Sequence, residues 1–413
     1  MRAEALSRSA ASGGLLTRGH PLALTAVRRA IERARPPHAI LLVGPRAVGK
    51  TTLAMDLAAG LLCSAQDPAM RPCRACAACR KVEHGNHPDL HRLQPEGAGE
   101  QIRIGQVQTL ITDLALLPME GRVRVAIIEA AHRLNPDAQN ALLKTLEEPV
   151  GAACIVLCAD DPATILPTVA SRCARFRLGP VPVGDIQGLL VERGLADASR
   201  AAGLAVASGG LPGLAVALSR SPEALLIRDR MARQLADLLP ADRRTRLEAA
   251  SSLMADGAAL DAALSGEVPA DEVPDGQMPP PSAASAARGA SAAPAGRRRA
   301  PAPAVARPSS ARRPQPAERR RAVRRVMATW RDVGRDLAVV VGGGRAGIRQ
   351  LDLLEELDAA APLVVGDELV SFLDRLDGLV AAIDAYASPE LVLDDLLLRW
   401  PRTKAGVGRD AGQ

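Results

Sequence analysis

Three nearly unbroken apolar runs punctuate the first half of the chain: Ala39-Ile40-Leu41-Leu42-Val43, Val123-Arg124-Val125-Ala126-Ile127-Ile128 and Cys154-Ile155-Val156-Leu157-Cys158. Short runs without polar alternation fit strands covered on both faces, as in a parallel sheet. Segments with helical spacing lie between them. Leu22 to Arg35 places Leu24, Val27 and Ile31 on one face and is closed by Pro36-Pro37. A second helix is predicted from Leu53 to about Leu62. Ile102 to Leu117 reads as a strand edge followed by a helix, with Gly121 as a turn. Asn135 to Leu146 reads as a helix closed by Glu147-Glu148-Pro149. Strands alternating with helices predict an α/β domain with a parallel sheet. A last short strand is expected to reach Leu178.

After Pro180-Val181-Pro182 the pattern becomes wholly helical. Asp185 to about Ser219 forms one small unit, with Gly209-Gly210-Leu211-Pro212-Gly213 as its internal turn. Further helices are predicted over Pro222–Leu264, Glu318–Val341, Ile348–Asp358, Asp367–Ala387 and Pro389–Trp400. The intervening Gly266–Ala317 is Pro, Ala, Ser and Arg in low-complexity order. It lacks the apolar content to bury a core and is expected to be a disordered insertion.

Composition sharpens this picture in three places. At 413 residues the chain exceeds one ordinary core, so more than one domain is expected. Net charge is +6, but much of the arginine excess sits in the low-complexity stretch, so the charge is a weak pointer to nucleic acid or an acidic partner. Two Trp, one Tyr and two Phe argue against a surface that grips single strands by base stacking. Met1 to Thr17 is Ala/Ser/Arg-rich without a sustained apolar core, and no apolar run is long enough to cross a membrane. A soluble cytoplasmic protein is expected, in which seven cysteines read as thiols or metal ligands rather than disulfides.

Three clusters carry chemistry. Gly44-Pro45-Arg46-Ala47-Val48-Gly49-Lys50-Thr51-Thr52 stands between a predicted strand and a predicted helix, the setting in which G-x-x-x-x-G-K-[ST] works as a P-loop. Backbone N–H groups of such a turn converge on phosphate oxygens, Lys50 reaches the β/γ-phosphates and Thr51 offers a hydroxyl to Mg²⁺. Glu129 closes the second core strand, where a carboxylate can hold a water on Mg²⁺. Cys63, Cys73, Cys76 and Cys79 have the spacing C-x9-C-x2-C-x2-C, which can surround a tetrahedral Zn²⁺. Arg71, Arg74, Arg80 and Lys81 would help to offset the charge of such a centre. A redox C-x-x-C lacks its usual βαβ setting here, and free surface thiols are the plainer alternative. His84 and His87 are expected in the loop leading to Pro88-Asp89-Leu90.

His38-Ala39-Ile40-Leu41-Leu42-Val43-Gly44-Pro45, the four cysteines, His87-Pro88-Asp89-Leu90, Ile127-Ile128-Glu129, Asn140-Ala141-Leu142-Leu143-Lys144-Thr145-Leu146-Glu147-Glu148-Pro149 and Ser171-Arg172-Cys173 occur in this order. Together they resemble the bacterial clamp-loader subunits of DNA polymerase III, and most the delta-prime type, densely from about Gly19 to Phe176. The resemblance implies an AAA+ P-loop domain at 19–178 with a zinc knuckle at 63–79. It further implies a helical lid at 179–219 and a helical collar at 220–265 and 318–402. The collar is interrupted by the insertion at 266–317, and residues 1–18 and 403–413 are left as flexible ends. The collar would join five subunits, of gamma/tau and delta type besides this one, into an assembly that places the sliding clamp on primed DNA. The chain itself would have no polymerase activity. Arg172 would act as an arginine finger towards a neighbour's ATP.

The sequence departs from the motor subunits of that family at three places. Ala130 stands where a water-activating Glu is expected, Ala159 lacks a polar sensor, and Leu214 replaces a sensor arginine. Each such loss commonly costs orders of magnitude in rate. A non-motor stator with little or no ATPase of its own is therefore expected. An active gamma/tau-type ATPase is the alternative within the family. A stand-alone P-loop kinase or nucleic-acid ATPase would leave the cysteines and the Ser171-Arg172-Cys173 block without a purpose.

Overall fold

The computed structural model describes residues 14–95, 101–148, 151–265, 315–345 and 347–401. The expected insertion lies outside them from 266 to 314, as do most of the N-terminal extension and the C-terminal tail. Five strands form one sheet: β1 Ala39–Val43, β2 Leu90–Leu93, β3 Arg124–Ile128, β4 Ala153–Ala159 and β5 Ala174–Arg177. Their spatial order is β2-β3-β4-β1-β5 and every pairing is parallel. The uniform apolar runs resolve into alternating faces. Ile40 and Leu42 of β1 join one core with Val125, Ile127, Val156 and Cys158. Ala39, Leu41 and Val43 join a second core on the opposite face with Ala126, Ile128 and Leu157. Each fully buried Val, Leu or Ile side chain contributes about 1.5–3 kcal/mol, so both faces need cover.

Helices provide that cover, and their starts follow from local chemistry. The helix Lys50–Leu62 begins where Gly49, at φ 110°, takes a left-handed conformation that suits glycine. The helix Pro136–Glu147 starts with proline at its first position and with Asn135 accepting from the Ala138 N–H at 2.8 Å. The helix Pro21–Glu32 buries Val27 and Ile31 and stops short of Arg35. The helix Ile104–Leu114 also stops early, and Leu116 and Leu117 project from an exposed loop.

One segment departs from expectation. Residues 14–18 were expected to belong to a loose extension, but Leu15 and Thr17 are buried. Asp56 is the cause. Its buried carboxylate accepts from Leu16 N–H, from Thr17 N–H at 2.8 Å and from Thr17 Oγ1 at 2.7 Å, and it pairs with Arg74. A buried carboxylate needs donors, and this segment supplies them.

The rest of the described chain is helical. Val183–Glu192, Ala198–Ala207 and Pro212–Arg220 form a three-helix unit. Pro222–Asp237, Arg243–Glu248, Ala250–Ser265, Pro316–Val341, Leu354–Ala360, Gly366–Asp384 and Pro389–Arg399 follow. Ile348–Asp358, expected as one helix, instead opens with a short 3-10 turn at Leu351–Leu353. The long helix begins at Pro316, two residues before the expected start, where proline takes the first position and the Gln315 N–H donates to Glu318 Oε2 at 2.8 Å. A single hydrophobic core runs from Ile186 and Leu204 of the three-helix unit to Trp330 and Leu396 of the later helices, so the two share their packing. Within it Trp330, Phe372 and Trp400 meet with ring centroids 4.8–5.6 Å apart. Arg246, with no exposed surface, donates to the carbonyls of Leu239, Pro401 and Trp400 and ties down the end of the last helix. Among the described residues no helix is long and apolar enough to cross a membrane.

Candidate nucleotide site and cysteine cluster

Parallel strands deliver their C-terminal ends to one edge of the sheet, and the candidate residues lie there. The register pairs Val43 with Ala159, so Gly44 follows β1 beside Asp160, which follows β4. The Gly44 N–H donates to Ala159 O at 3.2 Å, which fixes this neighbourhood. Glu129 follows β3, the strand on the other side of β4. Lys50 is buried at 6% exposure. Its ammonium donates to Gly44 O at 2.7 Å and Pro45 O at 2.9 Å and pairs with Asp160 Oδ1 at 2.7 Å. All three of its donors are thus engaged inside the protein.

Glu129 is engaged as well. Arg92, on β2, donates to Glu129 Oε1 through Nε at 2.6 Å and Nη2 at 2.5 Å. Ala130 follows it, and Ala159 is fully buried. Leu214 packs against the core of the C-terminal helices. None of these three side chains can stabilise a developing charge. Across the loop apex, the Gly213 N–H donates to Ala47 O at 2.9 Å. A Cβ at Gly213 would sit 3.0 Å from Ala47, so the contact is tight. Beside it lies a cleft of about 200 Å³ lined by Thr17, Arg18, Val48, Thr52, Arg193 and Pro212. Thr51 and Thr52 occupy the first turn of the helix that starts at Lys50. Two partners were not legible in the sequence. Asp160 and Arg92 become neighbours of Lys50 and Glu129 only through strand register.

Arg172 stands apart from this loop. It lies in the turn between the short helix Pro167–Ala170 and the edge strand β5. Its guanidinium donates to Thr168 O at 2.8 Å and forms an ion pair with Glu147, at the end of the helix Pro136–Glu147.

The four cysteines converge as their spacing implies. Their sulfurs all lie within 4.8 Å of one another. Cys63 Sγ is 3.5 Å from Cys73 Sγ and 3.9 Å from Cys76 Sγ. A tetrahedral zinc with Zn–S bonds of ~2.3 Å needs sulfurs ~3.8 Å apart, so the set fits that ion. Backbone N–H groups aim at the sulfurs: Ala65 and Cys73 donate to Cys63, and Cys79 to Cys76. Such donors suit thiolates. Burial pushes the Cys63 and Cys79 thiols up, whereas at Cys76 burial is outweighed by hydrogen bonds involving Ser64 and Cys79, which bring its thiol down to about 5. The cationic residues expected to offset the charge of such a centre have partners of their own. Arg71 donates to Ala65 O, Arg74 to Gly14 O and Asp56, Arg80 to Ala75 O, and Lys81 pairs with Glu120. His84 caps the helix Ala77–Glu83, and buried His87 accepts from the Asp89 N–H, which leaves the four sulfurs as the candidate ligand set.

Comparison with known proteins finds sequence similarity in the first half of the chain. The family model described as DNA polymerase III, delta subunit matches residues 19–182. The DNA polymerase III subunit delta' of Pseudomonas aeruginosa is 38% identical over 182 residues, 44% of this chain and 55% of that one. The subunit delta' of Bacillus subtilis is 34% identical over 173 residues, 42% of this chain and 51% of that one. The subunit tau of Salmonella typhimurium is 36% identical over 169 residues, 41% of this chain and 26% of that one. The chain thus spans about half the length of the delta' relatives it matches. A Thermotoga maritima structure of a DNA polymerase III, gamma subunit-related protein aligns at 15% identity with a TM-score of 0.37, over 91% of this chain and 98% of that one, a likeness too loose to carry detail. Over residues 19–182 this chain is similar by sequence to subunits of DNA polymerase III, those named delta' and tau among them.

Proposed function

We propose that the chain is a non-motor subunit of a DNA polymerase III clamp loader. In this reading it helps to place the sliding clamp on primed DNA and supplies Arg172 to the ATP of a neighbouring gamma/tau-type subunit. One observation carries the stator part of the reading. The charged groups that a hydrolysing site would use, Lys50 and Glu129, are already paired with Asp160 and Arg92. Ala130 and Leu214 stand where a motor needs a base and a cation. The sheet domain with its Gly44–Thr52 loop is then an AAA+ module, the three-helix unit its lid, and the later helices a collar for a hetero-pentamer with gamma/tau- and delta-type partners.

Arg172 suits a role in trans. It sits on a turn at the sheet's edge strand, and its partners lie outside the Gly44–Thr52 loop. A guanidinium brought to a γ-phosphoryl group stabilises charge in the transition state and is worth about 10³–10⁵ in rate. Zinc, held by Cys63, Cys73, Cys76 and Cys79, would cross-link the knuckle and take no part in turnover. ATP and Mg²⁺ at Gly44, Gly49, Lys50, Thr51, Thr52 and Glu129 would serve a binding role at most.

Reconstitution tests the reading. The purified chain is mixed with gamma/tau and delta subunits, clamp and primed DNA, and ATP turnover and clamp loading are followed. The expected outcome is negligible turnover by the chain alone. Arg172→Ala should assemble normally and lower DNA-stimulated turnover by at least about a hundredfold. The tau-type relative keeps an active ATPase as the second reading. Robust turnover by the isolated chain, abolished by Lys50→Ala, would establish it and sink the stator.

A further inference from the structure

We infer that Asp160 is a built-in counter-anion that competes with a nucleotide phosphate for Lys50 and weakens nucleotide binding at the intact Gly44–Thr52 loop. The inference rests on the reading of that loop as a phosphate cradle and says why an intact cradle would sit in a subunit that does not fire. Asp160 is positioned by register: Val43 pairs with Ala159, and the Gly44 N–H holds Ala159 O. The carboxylate that follows β4 therefore meets the ammonium rooted at the start of the helix Lys50–Leu62. The pair closes at 2.7 Å, with the lysine side chain 7% exposed and the aspartate side chain 37% exposed. His132 Nε2 lies 3.7 Å from the other carboxylate oxygen.

The geometry gives Asp160 the chemistry of a resident ligand. A triphosphate would offer Lys50 an anionic oxygen, and Asp160 already offers one from within the chain. The remaining ammonium protons go to Gly44 O and Pro45 O, so Lys50 has no donor to spare. Nucleotide must therefore displace a carboxylate from a largely buried cation before it gains the lysine. The lid reinforces this state. The Gly213 N–H is bonded to Ala47 O, and the cleft of about 200 Å³ beside it lies below the ~300 Å³ at which small-molecule sites commonly begin. An open, lysine-available state populated at about one tenth would weaken apparent affinity tenfold.

Equilibrium binding to the full-length, zinc-loaded chain tests the inference, with ATP·Mg²⁺ and inorganic tripolyphosphate as separate probes. Asp160→Asn keeps the shape and removes the charge. It should tighten both probes by roughly tenfold over wild type. Adding Lys50→Ala to it should abolish the gain. Asp160→Ala serves as a second variant should the amide itself bond Lys50, and unchanged far-UV circular dichroism and melting certify the fold. Equal affinities for wild type and both Asp160 variants would overturn the inference, as would no measurable binding by either variant. A gain for ATP without a gain for tripolyphosphate would also overturn it, because the effect would then lie at the base and not at the phosphates. These outcomes are independent of Arg172, whose role is read only in the reconstituted assembly.

Discussion

Spacing alone sets four of the seven cysteines apart, and their surroundings separate them further. Four form the cluster at 63–79. The other three lie in the cores flanking the sheet, where burial pushes Cys154 and Cys158 up to about 12 and Cys173 up to about 11. The thiolate is the reactive form, so at a pH near 8 these three are inert. Alkylation of the zinc-loaded native protein followed by peptide mapping should leave Cys154, Cys158 and Cys173 unmodified, and denaturant should expose all three. Labelling of Cys158 in the native state would contradict its place in β4. Partners at this scale were the least legible part of the sequence. Lys50 and Glu129 announce themselves by spacing, but Asp160 and Arg92 do not. Nothing in a linear pattern says that β4 lies beside β1 with Val43 opposite Ala159.

At the scale of elements, pattern carried further. The β1, β3 and β4 runs and the helices after Gly49 and Asn135 were visible because continuous burial and capping leave local marks. Loops were less visible. The stretch from Leu116 to Gly121 is held in shape by Asp89, whose carboxylate accepts from Glu120 N–H at 2.9 Å, Gly121 N–H at 2.7 Å and Met119 N–H at 2.6 Å. Arg124 grips the other side through Leu117 O. Sequence placed Asp89 in a His-Pro-Asp-Leu block and gave it no task. Burial opposes its ionisation, but the three N–H donors outweigh that and hold its pKa below the usual carboxylate value. A depressed folded pKa makes its contribution fully present above the unfolded value of ~3.9 and lost as pH falls through the lower, folded value. Urea titrations of wild type and Asp89→Asn should differ by about 2–3 kcal/mol near neutrality, and the gap should shrink below a pH of about 4. A gap independent of pH would mean that the amide's shape, and not the lost charge, sets the cost.

For the whole molecule, the informative feature is how the cores divide. Two cores clamp the sheet, and a third joins the three-helix unit to the C-terminal helices. The sequence separated these last two at Pro222, since a proline after a serine cap marks a helix start whether or not packing continues across it. The cysteine cluster belongs to the sheet half. Arg74, between Cys73 and Cys76, reaches Asp56 and Gly14 O and so ties the cluster to residues 14–18. Because metal binding is coupled to local folding, a chelator should speed amide exchange at 63–83 and at 14–18 while leaving 316–341 protected. Protection unchanged throughout would show that the cluster is held by its protein contacts alone.

The aromatic cluster has a consequence for how the protein can be observed. Trp330 and Trp400, the only tryptophans, sit together in the third core, and the sole tyrosine, Tyr386, lies in the same C-terminal region. The half that carries Lys50, Arg172 and the cysteines contributes no indole and no phenol. Intrinsic emission is therefore a private signal of the C-terminal helices. A nucleotide entering the Gly44–Thr52 loop is spectrally dark unless it moves those helices. The natural optical reporter in this chain records events among the C-terminal helices and stays blind to events at the loop.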